Sequence, residues 1–104
     1  MLNKHKKVYI SGKITGLPFE EYSKNFNEVE EYLRYKGYEN IINPIKLNPY
    51  NPDWNWEQYM KPLIKELMDC DELWLIGGWQ GSKGVEVELY LADTLGIKVI
   101  DYEK

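Results

Sequence analysis

Glu72-Leu73-Trp74-Leu75-Ile76-Gly77, running on through Gly78-Trp79-Gln80-Gly81-Ser82-Lys83-Gly84 into Val85-Glu86-Val87-Glu88-Leu89, is the stretch that decides the fold. Its first part is short and nearly all apolar, which predicts a strand covered on both faces, as in a parallel sheet. Glycines then end the run and open a loop. Beyond the loop, Val85, Leu89 and Ala92 recur at spacings of three and four. That spacing predicts a helix from about Val85 to Leu95, with Gly96 as its stop.

The same rhythm extends in both directions. Lys7 to Ser11 reads as a buried strand ending at Gly12. Phe19, Tyr22, Phe26, Val29 and Leu33 form one apolar stripe of a helix that Gly37 terminates. Tyr38 to Asn43 reads as a second strand, stopped by Pro44. The connection from Pro44 to Trp56 holds Pro49, Pro52 and several Asn and lacks the alternation of a strand. A connection this long serves as a lid or an interaction surface. Asn55 and Gln58 form a capping pair, so a helix is expected from Trp56 to about Asp69. Pro62 within it means either a kink or a regular part that begins near Pro62. Ile97 to Asp101 is the last strand. The order βαβαβαβ predicts an α/β fold: a doubly wound (flavodoxin- or Rossmann-like) parallel sheet of order 2-1-3-4 with right-handed crossovers. Residues 1–104 are expected to form a single domain.

Composition narrows the function. With 104 residues, 43% apolar and 29% charged, the chain has the make-up of a globular protein. Its four Trp and nine Tyr imply aromatic surface lining a pocket or an interface. The net charge of -4 and the lack of a broad basic stripe argue against duplex nucleic acid as a partner. Lys4, His5, Lys6 and Lys7 read as a solvated tail ahead of the first strand. Cys70 is the only cysteine, so no intramolecular disulfide forms, and a reducing compartment is expected. The apolar run Val8–Ile10 is too short for a signal peptide. No stretch approaches the ~20 apolar residues of a membrane span.

In an open α/β sheet, ligands bind beyond the carboxyl ends of the strands, where strand order reverses. For order 2-1-3-4 that crevice lies between the first and third strands. Two glycine-rich loops face it, Gly12 to Pro18 and Gly77 to Gly84. The second feeds a helix whose N-terminus favours a phosphate or carboxylate. Ser82 fits as its cap, and Lys13 and Lys83 add positive charge, although Lys83 fits a solvated surface position equally well. Neither a Walker loop nor the dinucleotide glycine fingerprint is present. Glu88 lies one turn into the helix, beside the apolar face. Periodicity alone leaves it either an exposed glutamate like Glu86 or a carboxylate at the mouth of the site, kept ionised by the helix dipole. In the second case it could attack an anomeric carbon.

The segment Cys70 to Glu88 resembles the nucleoside 2-deoxyribosyltransferase-like superfamily, and within it the small bacterial and phage DUF4406 branch. The matching features are Asp71 before an apolar strand, Gly78-Trp79, Ser82-x-Gly84, Glu88, Ala92 and Leu95-Gly96. The start also fits, with Val8-Tyr9-Ile10-Ser11-Gly12, then Thr15-Gly16 and Asn43-Pro44. The resemblance implies Glu88 as the nucleophile at C1′ of a nucleoside or nucleotide, with Asp71 as a second catalytic carboxylate. It implies sugar and phosphate contacts from Tyr9, Ser11, Gly12, Lys13, Thr15, Gly16, Gly78, Trp79, Ser82, Lys83 and Gly84. It implies no metal or cofactor, a homodimer or larger homo-oligomer, and a cytoplasmic location (the host cytoplasm for a phage product). Catalytic relatives carry an Asp on the middle helix, where this chain has Leu63; Asp69 or Asp71 would have to replace it. Lys13 stands where relatives often have Pro. Three readings follow: an N-glycosidase or deoxyribosyltransferase, an inactive module that sequesters a nucleotide signal, and an assembly subunit without ligand.

Overall fold

The sheet consists of β1 (Lys7–Ser11), β2 (Asn40–Ile42), β3 (Glu72–Ile76) and β4 (Lys98–Tyr102) in a computed structural model that describes residues 3–102. All neighbours are parallel and the order is β2-β1-β3-β4, as the alternation of elements predicts. The helices are α1 (Phe19–Tyr35), α2 (Pro44–Leu47), α3 (Trp56–Leu67) and α4 (Lys83–Leu95).

Side-chain alternation along β1 divides the core in two. Val8 and Ile10 point to one face and pack with Phe26, Val29 and Leu33 of α1. Tyr9 lies in the opposite layer, with Met60, Leu63 and Leu67 of α3 and Val85 and Ala92 of α4. Every residue of β3 is buried, as its apolar sequence predicts. Among the described residues, no helix is long and apolar enough to cross a membrane.

Several boundaries differ from the sequence reading, each for a local reason. The second strand is shorter than Tyr38–Asn43 because both ends have other work. The Tyr38 N–H bonds to the Leu33 carbonyl at 3.0 Å, and the Gly37 N–H to that of Arg34 at 3.0 Å. Gly37, at φ 98°, makes this closure of α1 possible without a Cβ clash. At the other end, Asn43 caps α2 by accepting the Ile45 N–H at 3.3 Å. The connection after Pro44 is therefore not structureless: a capped turn of helix opens it, with Pro44 in the first turn. α3 begins at Trp56 under a reciprocal cap between Asn55 and Gln58, both bonds 2.8 Å, so its regular part does not wait for Pro62. α4 begins at Lys83, two residues before the expected start, because Ser82 accepts the Val85 N–H at 3.3 Å.

Buried Glu30 fixes α2 to α1. It accepts from Asn43 Nδ2 at 2.9 Å and pairs with Lys46 at 3.0 Å and Arg34 at 2.9 Å. The rest of the connection is tied to α3. The Tyr59 hydroxyl donates to the Asn51 carbonyl at 2.8 Å and also accepts the Asn51 N–H, and Asn48 Nδ2 donates to the Tyr59 carbonyl at 2.9 Å. The segment expected to be a lid or an interaction surface is tied to α3 by these bonds.

Gly12, at the end of β1, has no room for a side chain. A Cβ there would lie 2.9 Å from Ile76 Cδ1 and 3.2 Å from both Ile76 Cβ and Phe26 Cζ. Gly12→Ala is expected to cost about 1–3 kcal/mol by overpacking, read as a lower urea midpoint at unchanged slope; an unchanged midpoint would show that the contact yields freely.

Candidate functional site

A cavity of about 480 Å³ opens where strand order reverses. This volume is within the ~300–1,000 Å³ of small-molecule sites. The loop after β1 supplies Gly12, Ile14, Thr15 and Leu17, and the start of α4 supplies Ser82, Gly84 and Val85. The connection and α3 supply the far wall, which includes Ile45, Tyr50, Trp56, Tyr59 and Leu63. Phe19 and Tyr22 also line it. The helical stripe read from Phe19 to Leu33 therefore splits: its C-terminal part is core, whereas Phe19 is 62% exposed and belongs to the cavity.

Glu88 lies at the floor rather than the mouth, only 5% exposed. Tyr9 donates its hydroxyl proton to Oε2 at 2.5 Å, and Ser11 donates to Oε1 at 2.7 Å. Residues two apart on a strand share a face, so β1 aims both donors at the same carboxylate. No Lys, Arg or His of the described residues forms an ion pair with Glu88.

Among the described residues two other glutamates are buried, and they isolate what is unusual about Glu88. Burial alone would raise Glu30 and Glu72. Hydrogen bonds and a lysine outweigh it and hold both below the usual carboxylate range: Asn43, Lys46 and Arg34 at Glu30, and Trp74, Tyr38 and Lys6 at Glu72. Glu88 has neutral donors only. Burial dominates, and its pKa is pushed up from 4.5 to about 7, against the pull of Ser11 and Tyr9. Tyr9 itself is raised well above its usual range by burial and by the Glu88 carboxylate, and so keeps its proton.

This corrects the expectation of a carboxylate held ionised by the helix dipole. That effect is about 0.3–1 kcal/mol and fades beyond the first turn. The displacement of Glu88 corresponds to about 3 kcal/mol in the opposite sense.

The other predicted site residues divide into three groups. Gly12, Thr15, Ser82 and Gly84 line the cavity with Glu88, while Tyr9 and Ser11 act on it through that carboxylate. Lys13, Gly16, Gly78, Trp79 and Lys83 are not on the wall. Trp79 packs against the α3–α4 core, and the Lys83 ammonium lies 4.1 Å from the centre of the Trp56 ring. Gly84 allows α4 close to α3, since a Cβ there would sit 3.3 Å from Met60 Sδ.

Asp71 is not brought to the site. It immediately precedes β3 and accepts the Lys7 N–H at 2.8 Å, at the amino edge of the sheet. The cavity is at the carboxyl edge, about 15 Å away along a five-residue strand. Asp69 is also exposed, just past α3. Leu63, by contrast, lies on the cavity wall and is buried. The surplus of Trp and Tyr pointed to aromatic surface at a pocket, but the sequence did not say which aromatic and aliphatic residues form this wall.

The family model for the domain of unknown function DUF4406 matches residues 6–101. No curated protein matches the chain. Among solved structures, a similar chain is a 2-deoxyribosyltransferase from the psychrotolerant bacterium Bacillus psychrosaccharolyticus, described as a suitable biocatalyst for the synthesis of antiviral and antitumoral nucleosides. It is 22% identical, with a TM-score of 0.69 over 91% of this chain and 70% of that one. The likeness shows a nucleoside 2-deoxyribosyltransferase-like fold.

Burial of an unpaired carboxylate has a measurable cost. Between pH 4.5 and about 7 the unfolded chain gives up the Glu88 proton while the folded chain keeps it, so this group lowers stability as pH rises through that window. Glu88→Gln removes the effect. Its stability relative to wild type is expected to rise by up to about 3 kcal/mol from pH 4.5 to pH 8, read by urea denaturation. Parallel stability curves for the two proteins would contradict this.

Proposed function

The chain belongs to the DUF4406 family, and we propose that it binds a nucleoside or nucleotide in the cavity and cleaves or transfers at the N-glycosidic bond with Glu88 as nucleophile. The observation that carries this reading is Glu88 itself: buried, held through both oxygens, in no ion pair with any described residue, and lining a cavity of nucleoside size.

Each part has a chemical use. With a pKa of about 7, a substantial fraction of Glu88 is ionised at neutral pH. A desolvated carboxylate with no counterion is a good nucleophile. One oxygen bonds to C1′ as the C1′–N bond breaks, and the electron pair leaves with the base. Water or a second base then displaces the carboxylate from C1′. Tyr9 and Ser11 fix the direction of attack. The start of α4, with Ser82 and Gly84 on the wall, offers N–H groups to a sugar hydroxyl or a phosphate. The apolar walls suit the faces of a base and exclude water.

A second reading, favoured by Leu63, is a pocket that captures a nucleotide signal without cleaving it. Mass spectrometry of small molecules before and after incubation separates the two, by free base in one case and an intact nucleotide in the other.

For the first reading, wild type is expected to release free base from a nucleoside and nucleotide panel, and Glu88→Ala to fall to background. Equal cleavage by both would remove Glu88 from the chemistry. Tyr9→Phe takes a hydrogen bond from the ionised form, so the rate should drop about 10- to 100-fold and the acid limb of the pH–rate profile should move to higher pH. A profile that stays in place would mean that Tyr9 only packs.

A further inference from the structure

We propose, resting on the N-glycosidic reading above, that the preferred substrates are nucleosides whose base carries a fixed positive charge, such as a pyridinium nucleoside or an N7-alkylated purine nucleoside. Three features of the cavity meet in this inference. Among the described residues, Glu88 is the only Asp, Glu, Lys, Arg or His on its wall. The wall is aromatic, with Phe19, Tyr22, Tyr50, Trp56 and Tyr59. Leu63, on the α3 side of that wall, is apolar.

Departure of the base is the first consideration. A neutral base leaves with an electron pair and needs a proton, and a general acid is typically worth about 10²–10⁴ in rate. The cavity presents none. Its phenols are far weaker acids than a carboxylic acid, and Tyr9 is committed to Glu88 at 2.5 Å. A cationic base needs no acid. When a Glu88 oxygen bonds to C1′ and the C1′–N bond breaks, the electron pair neutralises the ring nitrogen, and the base leaves uncharged. Water then attacks C1′, the ester bond to Glu88 breaks, and one proton passes to solvent. The sum is cationic nucleoside plus water giving neutral base, free sugar and one proton.

Binding points the same way. A buried carboxylate without a cation is costly, and a cationic ligand supplies the missing partner. Aromatic faces attract the same charge, most strongly where it is desolvated. As the bond breaks the charge on the base disappears, and with it both attractions, so the neutral product is released readily.

The test compares nicotinamide riboside and 7-methyl-2′-deoxyguanosine with inosine and 2′-deoxyguanosine, following free base and subtracting spontaneous hydrolysis. The charged pair is expected to have a kcat/KM at least about 100-fold higher, the lower bound of a general acid's contribution. Leu63→Asp is expected to raise the rate on the neutral pair and narrow that ratio. Should Leu63→Asp fail to fold, tryptophan fluorescence gives a second measure. Wild type should bind nicotinamide riboside at least about 10-fold more tightly than Glu88→Gln, as for a charge-assisted contact, with inosine bound equally by both. Glu88-dependent cleavage of the neutral pair at the same or higher rate overturns this inference and leaves the N-glycosidic reading standing. Capture of the cation without cleavage also overturns it, in favour of the sequestering module. Cleavage of none, with binding that ignores Glu88, removes both.

Discussion

A single carboxylate held between a phenol and a hydroxyl organises this protein. Glu88 reaches Tyr9 and Ser11 only because these two residues share one face of β1 and α4 crosses that face. The parity of β1 cannot change without turning both donors into the α1 layer. The start of α4 is equally constrained, since the Ser82 cap sets where helical spacing begins and thus which residue arrives over β1. The loops after β1 and β3 then have to open the sheet at its carboxyl edge. The cavity is the space they leave.

The three buried glutamates show how one residue type is put to different uses. Glu30 and Glu72 are each surrounded by donors that include at least one cation, and burial is offset. Those two hold elements together: Glu30 fastens α2 to α1, and Glu72 joins Tyr38, Trp74 and Lys6 at the amino edge. Glu88 receives two hydrogen bonds and no charge, so its ionisation is left near balance at neutral pH. A fully satisfied carboxylate is a structural anchor. One left short of a counterion can respond to what enters the cavity, and such perturbation is common where chemistry occurs.

Much of this could be read from the sequence, for physical reasons that also explain the failures. The parallel sheet was legible because β3 is nearly all apolar, glycines follow α1 and α4, and side-chain caps start α3 and α4. The position of the cavity followed from strand order and two facing loops. Burial of Glu88 was not legible from spacing, because periodicity says which face a residue is on and not how closely a tyrosine from another element approaches. Asp71 was expected as a second carboxylate through the resemblance, yet a strand carries its two ends to opposite edges of the sheet, and Asp71 is at the edge away from the cavity. Phe19 and Tyr22 continued a core stripe on paper, but the core ends where the sheet does, and beyond that edge the same stripe lines the cavity. The helix α2 was hidden among prolines, one of which starts it.

The account depends on Glu88 being a buried acid without a counterion, and its ionisation can be observed directly. Infrared difference spectra of wild type against Glu88→Gln, taken across pH 4 to 9, isolate one carboxyl group. The account predicts a protonated carboxylic acid band that persists through pH 6, disappears with a midpoint of about 7, and is absent from the variant. A band lost near 4.5, the ordinary value for a glutamate, would contradict it, because Glu88 would then be solvated or paired and the cavity would have no unmet charge to offer a ligand.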